Sequence, residues 1–417
     1  MKKPLMRSFF THPVCAGASQ TWCLWQTETR MHDFLSPRRA RRSGMEITMD
    51  FQYETLEKNF DALFSRTGRT LRMQTQSPEA FAAWQQEAFQ KLKELLADDV
   101  FVRTPMDPVL LSERDCGAYV EKIYRLTTEP ETYMPTAVLE PKQPAEGAGT
   151  VLFLPAHGAG MLSYLDHPDY PQLIAGSHQS RIEAWKAGGE TPKTGSLVRQ
   201  LAEAGIRVVI PEPRGIGLRR EKRNQGWSAD VAFTWSHNEQ GRVAIAMGTS
   251  IAAMNAYDFS VALEFAKKDM HEGEKLIAGG HSGGGMMTLY LAALHPEIDA
   301  CFTSGYFYGV KESLLDMPEN CTCNYVPGLW RWFDMCDIAA ICAPHPIFIE
   351  SGSVDHLNGA SGLGNVTPQV EQLREAYACE GAAEQVTHHI YSGEHFAGLT
   401  DLACLEWVKA LFGMKNK

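Results

Sequence analysis

Ser282, Asp355 and His395 lie far apart in the chain, yet their types work together in acyl transfer. A serine hydroxyl is a poor nucleophile until a neighbouring base takes its proton. Histidine can be that base, and a carboxylate can hold the imidazole in its useful tautomer and stabilise the charged form. The serine carries the sharpest local signal. It sits in Gly280-His281-Ser282-Gly283-Gly284, a G-x-S-x-G. The short apolar run from Lys275 to Gly279 precedes it and reads as a buried strand. Met286–Leu294 follows as an unbroken run of strong helix formers. Between strand and helix, the motif predicts a tight turn where glycines relieve crowding and the serine Oγ points out of the sheet. The start of the helix would aim free N–H groups at the same point, which suits a developing oxyanion.

Asp355 follows the apolar stretch Pro346-Ile-Phe-Ile-Glu350, and His395 follows Val386–Tyr391. Each member of the set therefore lies just past the carboxyl end of an expected strand, where open α/β sheets place their sites. Asp337 and Glu350 are rivals for the acid, but Asp337 precedes its strand and Glu350 lies within it. His388 and His389 fall inside the last strand, and His356 reads as a mere neighbour of Asp355. His157 is a second candidate base, in Pro155-Ala-His-Gly-Ala-Gly160 directly after Thr150–Leu154. Its place beside a strand end favours a role in ordering that loop. The stretch Tyr306–Asp337 is strongly aromatic and reads either as core under a long loop or as a substrate wall. On the second reading Tyr306, Tyr325 and Trp330 line the substrate, with His157 and His281.

The elements that must position these residues alternate. Strand-like runs at Thr150–Leu154, Ile206–Ile210, Ile298–Thr303, Pro346–Glu350 and Val386–Tyr391 are separated by helical runs such as Leu197–Ala204, Ala252–Lys268 and Gln369–Ala378. Leu399–Phe412 reads as the closing helix. This alternation predicts an α/β fold with a doubly wound, mostly parallel sheet and flanking helices. Ala118–Leu126 and Thr136–Leu139 read as an antiparallel edge hairpin. Phe51–Asp98 reads as helical, with Ser77-Pro-Glu-Ala as a capped start and Phe81, Trp84, Phe89 and Leu92 at helical spacing. The expected organisation is an extension over 1–44, a helical arm over 45–115 and a catalytic domain over 116–417. The polar stretch Leu162–Ser196 follows a strand and is expected to be an active-site wall or a flexible insertion.

At 417 residues the chain can hold such a domain with insertions, and 44% apolar with 21% charged residues is ordinary for a globular protein. A net charge of −11 argues against a nucleic-acid partner. No apolar run reaches the length of a membrane span. In the first 44 residues His12, Pro13, Gln20 and Thr21 interrupt any signal-peptide core. That segment is expected to be disordered or a non-native extension upstream of a start at Met45 or Met49; a basic targeting arm around Arg38–Ser43 is the alternative. The chain reads as cytoplasmic. Of its ten cysteines, Cys321, Cys323, Cys336 and Cys342 form the only cluster. A zinc site would want paired spacings or nearby histidines, so reduced thiols are the plainer reading and neither metal nor cofactor is expected.

From about Phe81 onward the chain resembles the α/β-hydrolase superfamily, and within it the bacterial branch related to acetyl xylan esterases and dienelactone hydrolases. The matching pieces include Pro155–Gly160, Pro213-Arg-Gly-Ile-Gly217, Tyr257-Asp258, Gly280–Gly285, Cys323–Gly328, Ser351–Asp355 and Gly393-Glu-His395. The order Ser…Asp…His is the one this superfamily uses. The resemblance implies hydrolysis of a small carboxylic ester through an acyl-enzyme, with backbone N–H groups of Ala159 and Gly283 as oxyanion donors. A sugar acetate is one such substrate. His345 stands between two prolines where the branch often has arginine. Two other readings compete: a serine peptidase related to prolyl oligopeptidases, and a catalytically inactive hydrolase fold used for binding. The first would bring a propeller or large cap, for which the helical stretch after Met45 is too short. The second is argued against by the intact Ser282, Asp355 and His395.

Overall fold

Short apolar runs form the central strands, and helical segments connect them. The structure, a computed structural model, describes residues 57–96, 98–157, 160–165, 196–221, 229–317, 320–395 and 402–414. Glu57–Lys417 form one compact unit. The strands are β1 (Val109–Asp115), β2 (Tyr119–Glu129), β3 (Thr132–Pro141), β4 (Thr150–Leu154), β5 (Arg207–Pro211), β6 (Leu276–His281), β7 (Ala300–Ser304), β8 (Ile347–Gly352) and β9 (Val386–Tyr391). They make a nine-stranded sheet in the order β1-β2-β3-β5-β4-β6-β7-β8-β9. β1, β2, β3 and β5 pair antiparallel in turn, and every pairing from β5 to β9 is parallel.

The central strands β4, β6, β7 and β8 are buried along their whole length. Parallel strands need cover on both faces, which is why they read as continuous apolar runs. One face packs under α2 (Pro78–Leu95), α5 (Ile251–Lys267), α6 (Gly283–Leu294) and α8 (Leu363–Ala378). The other packs under α3 (Ser196–Glu203) and α9 (Ala403–Leu411). Two further helices are α4 (Ala229–Ala246) and the short α7 (Met335–Ala340). β4 lies between β5 and β6, so the loops that leave β4 and β6 at their carboxyl ends are neighbours. Crevices of this kind are where open α/β sheets bind ligands.

The N-terminal part starts as the sequence implies. Ser77 Oγ accepts a hydrogen bond from the Ala80 N–H at 3.2 Å, Pro78 opens α2, and Phe81, Trp84 and Leu92 are buried. Several boundaries differ from the sequence reading. The helical stretch is split, with α1 (Glu57–Thr67) separated from α2 by a turn in which Arg69 takes φ 54°. β1 lies inside the stretch read as an arm; it is an exposed edge strand, so it lacks the apolar pattern that betrays a buried one. α8 begins at Leu363 and carries Pro368 within it, whereas proline reads from sequence as a point of initiation. α4 is not foreseen at all. Residues 1–56 and 166–195, and with them most of the polar stretch after β4, lie outside the described residues.

Candidate active site

The turn between β6 and α6 is built as its glycines require. Ser282 takes φ 54° and ψ −122°, a left-handed conformation that costs a non-glycine residue about 1–3 kcal/mol. The Ser282 N–H donates to the Ser304 carbonyl of β7 at 2.8 Å, and its own carbonyl accepts from the Met286 N–H at 3.0 Å. A Cβ on Gly280 would lie 2.5 Å from the Leu154 carbonyl oxygen and 2.7 Å from the Gly284 carbonyl carbon. Strand, turn and helix therefore touch backbone to backbone, and the side chain left pointing outward is that of Ser282. Gly283 is the first residue of α6, where helix N–H groups have no intrahelical acceptor.

His395 and Asp355 meet this serine from the next strand ends. His395 Nε2 lies 2.8 Å from Ser282 Oγ, and His395 Nδ1 lies 2.7 Å from Asp355 Oδ2. The second Asp355 oxygen accepts from the Leu357 N–H at 2.9 Å. The backbone carbonyl of His395 accepts from the Tyr391 hydroxyl at 3.1 Å, which ties the loop after β9 to its strand. Asp355 and His395 are both buried. A carboxylate so placed favours the His395 tautomer whose Nε2 is free to accept a proton from Ser282.

The other candidates separate. Asp337 binds Arg69 at 2.6 and 2.9 Å and accepts N–H groups of Met73 and Asp334, so it caps α7 and anchors the N-terminal segment. His356 is exposed, with Nδ1 3.9 Å from Asp355. His388, on β9, meets Ser351 Oγ at 3.2 Å, and burial with Arg374 and His389 nearby lowers it to about 4. His281 is buried behind the site, its ring centroid 4.8 Å from that of His395 and its Nδ1 3.1 Å from Ser304 Oγ. Burial, then the neighbouring His395, keeps it well below the usual imidazole range. Tyr306 and Trp330 are buried in the main core and bond to Asn324. Tyr325 donates to backbone carbonyls of Leu314 and Met317. These are the contacts expected of packing under a loop. Gly158 and Ala159 lie outside the described residues.

The loop after β4 is held on both sides, and two of the residues that hold it, Glu212 and His237, are missed by sequence reasoning. Glu212, just past β5, is fully buried and accepts the Met161 and Leu218 N–H groups at 3.0 and 3.3 Å. Burial raises its carboxyl to about 8 despite those bonds and the nearby Arg219 and Arg220. On the other side, His157 Nε2 lies 3.0 Å from Cys323 Sγ, and His237 Nδ1, from α4, lies 3.2 Å from Cys321 Sγ. Within this group the Cys323 hydrogen bond, with His237 and His157 close by, pulls Cys321 well below the usual thiol range. Cys336 and Cys342, neighbours of this pair in sequence, are absent from the group. Cys336 instead accepts from Arg69 at 3.1 Å. A nearby histidine is the signal a zinc reading of the sequence asks for, but these histidines come from distant segments.

A model of the α/β hydrolase fold matches residues 187–319. A candidate hydrolase of Bacillus subtilis, YtaP, is 26% identical over 222 residues, which span 51% of this chain and 68% of the relative. Among solved structures, a candidate acetyl xylan esterase from Bacteroides fragilis superposes with a TM-score of 0.65 at 18% identity, covering 83% of this chain and 84% of that one. A glucuronoyl esterase from Solibacter usitatus gives 0.54 at 16% identity over 82% and 95% of the two chains. A glucuronoyl esterase from Teredinibacter turnerae gives 0.54 at 13% identity over 88% and 94%. At such identities these similarities speak for architecture, and they agree with the strand order and with the turn at Ser282: the chain is an α/β-hydrolase-fold protein.

Proposed function

We propose that this hydrolase-fold protein is a serine esterase that cleaves small carboxylic esters through Ser282, His395 and Asp355. The observation that carries the reading is the unbroken chain of contacts from Asp355 through His395 to a serine held at φ 54°. In this mechanism Ser282 Oγ attacks the ester carbonyl as its proton passes to His395 Nε2. Asp355 stabilises the imidazolium so formed. The carbonyl oxygen, now negative, is met by the Gly283 N–H. Collapse of the tetrahedral species breaks the ester C–O bond, and His395 returns its proton to the departing alkoxide. Water, deprotonated by the same imidazole, then attacks the acyl-serine; the acid leaves and Ser282 recovers its proton.

The solved neighbours include enzymes named for xylan acetate and glucuronoyl esters, which supports an ester of a carbohydrate as substrate. The test is a panel of p-nitrophenyl esters, acetylated sugars and short peptides, run beside labelling with a fluorophosphonate. Ester cleavage with stoichiometric labelling of Ser282 is expected. Peptide cleavage without ester preference would turn the reading towards a peptidase, and no labelling together with no turnover would turn it towards a binding protein.

A further inference from the structure

Two imidazoles and two thiols meet in the group beside the loop after β4. One ligating atom from each of His157, His237, Cys321 and Cys323 lies within 4.8 Å of all the others. The rings of His157 and His237 meet edge-on, with centroids 5.3 Å apart. The residues come from separate places: the loop after β4, helix α4, and a single turn between β7 and β8. A tetrahedral zinc ion, with bonds of about 2.0–2.1 Å to nitrogen and 2.3 Å to sulfur, separates its ligands by about 3.3–3.8 Å. To admit one, the observed contacts of 3.0 and 3.2 Å need a small expansion and the widest separation in the group, up to 4.8 Å, a contraction of about 1 Å.

The surroundings look built to hold those four atoms. Asn238, the neighbour of His237 on α4, accepts both the N–H and the hydroxyl of Thr322, at 2.8 and 2.6 Å. Thr322 stands between the two cysteines, so this contact fixes their turn against the helix that carries His237. Asn324 donates to the Cys321 carbonyl at 3.0 Å and points its amide at Cys323 Sγ at 3.8 Å. Its Oδ1 accepts from the buried Tyr306 hydroxyl at 2.8 Å. Supporting hydrogen bonds of this kind orient the ligands of a metal site.

We propose that His157, His237, Cys321 and Cys323 form a Cys2His2 site for a zinc ion. Imidazole and thiolate donors favour zinc over the harder cations. Two thiolates neutralise the ion's charge, so it can be housed in the interior. Four protein ligands leave no open position, which makes the site structural. The ion would tie three distant segments together. Because the His157 ring also packs against Gly283, it would hold the loop after β4 beside the start of α6. That last consequence rests on the esterase reading; the metal site itself does not.

The test uses the full chain purified under reducing conditions. Elemental analysis after gel filtration is expected to find about one zinc per chain, the stoichiometry of a single four-ligand site. Chain stripped with a chelator and titrated with Co2+ should develop thiolate-to-cobalt charge transfer and the intense visible bands of tetrahedral cobalt. Cys321→Ser and His237→Ala should lose the bound zinc, while Cys342→Ala and Ser282→Ala should retain it. Wild-type protein that purifies without zinc and takes up cobalt with no thiolate band would overturn the proposal. So would full stoichiometry in both ligand variants. If those variants do not fold, the wild-type cobalt spectrum decides alone. None of these readings depends on ester turnover, so failure of the esterase assignment would leave them intact.

Discussion

The His157 ring lies so close to Gly283 that a Cβ on that glycine would fall 2.7 Å from Cε1 and Nδ1. The loop after β4 and the first residue of α6 are thus in contact beside Ser282. Gly283→Ala should push the ring away and disturb the place where the proposed mechanism forms its oxyanion. An error of about 1 Å in such geometry costs up to about 100-fold in rate. We expect kcat/KM on an activated ester to fall about 10- to 100-fold, with near-UV circular dichroism little changed. An unaltered kcat/KM would mean that this contact does not position the reacting groups.

Ser282→Ala should abolish fluorophosphonate labelling and lower kcat by about three orders of magnitude or more. The strained backbone adds a second readout. Ser282→Gly should be more stable than Ser282→Ala by about 1–2 kcal/mol, since glycine accepts φ 54° without the steric cost. Denaturant titration of the two variants measures the difference. Equal stabilities would remove the case for a strained turn.

Asp355→Asn and His395→Ala should each cause large losses, and the double variant should be scarcely worse than His395→Ala, because the groups act as a unit. Asp337 provides the contrast. It is the buried partner of Arg69, so Asp337→Ala should cost about 3–5 kcal/mol of stability by leaving that charge unpaired. The kcat of the folded fraction should be unchanged. Loss of turnover in stable Asp337→Asn, with activity kept in Asp355→Asn, would reassign the acid.

Glu212 predicts a pH dependence. Its carboxyl is raised from 4.5 to about 8 in the folded chain, chiefly by burial. Between those values the folded protein keeps a proton that the unfolded chain has released. This contribution is therefore complete below the unfolded value and is lost as pH rises through about 8. The slope is at most about 1.4 kcal/mol per pH unit. Glu212→Gln removes the titrating group and should flatten this part of the profile. Denaturant melts of both proteins from pH 5 to 9 give the comparison. Parallel profiles would show that Glu212 is already ionised in the fold.

A chain of 26% identity to a candidate hydrolase still declares its architecture, because the signals are local. The apolar runs of β4, β6, β7 and β8 are strands buried in a parallel sheet, with β9 as its half-exposed edge, and such runs are visible without knowing what covers them. The turn at Ser282 is legible for the same reason: adjacent glycines are demanded by backbone contacts made within and beside one short segment. Asp355 and His395 can be picked out as residues just beyond two of those strands.

Tertiary structure decides what joins segments without a shared period. Asp337 is ambiguous until Arg69 is found against it. Tyr306 and Trp330 could line a wall or fill a core, and only their bonds to Asn324 and their burial separate the two. β1 leaves no apolar trace because it lies exposed at the edge of the sheet. The meeting of His157 and His237 with Cys321 and Cys323 is the extreme case. No spacing along the chain announces it, since the approach of α4 to the loop after β4 is set by how α4 packs on α5 and on the turn that carries the cysteines. By itself the sequence determined the order of the central strands, most of the helices between them and the residues just past those strands. Folding determined which of those ends face one another, because contacts between distant side chains depend on packing that no local pattern encodes.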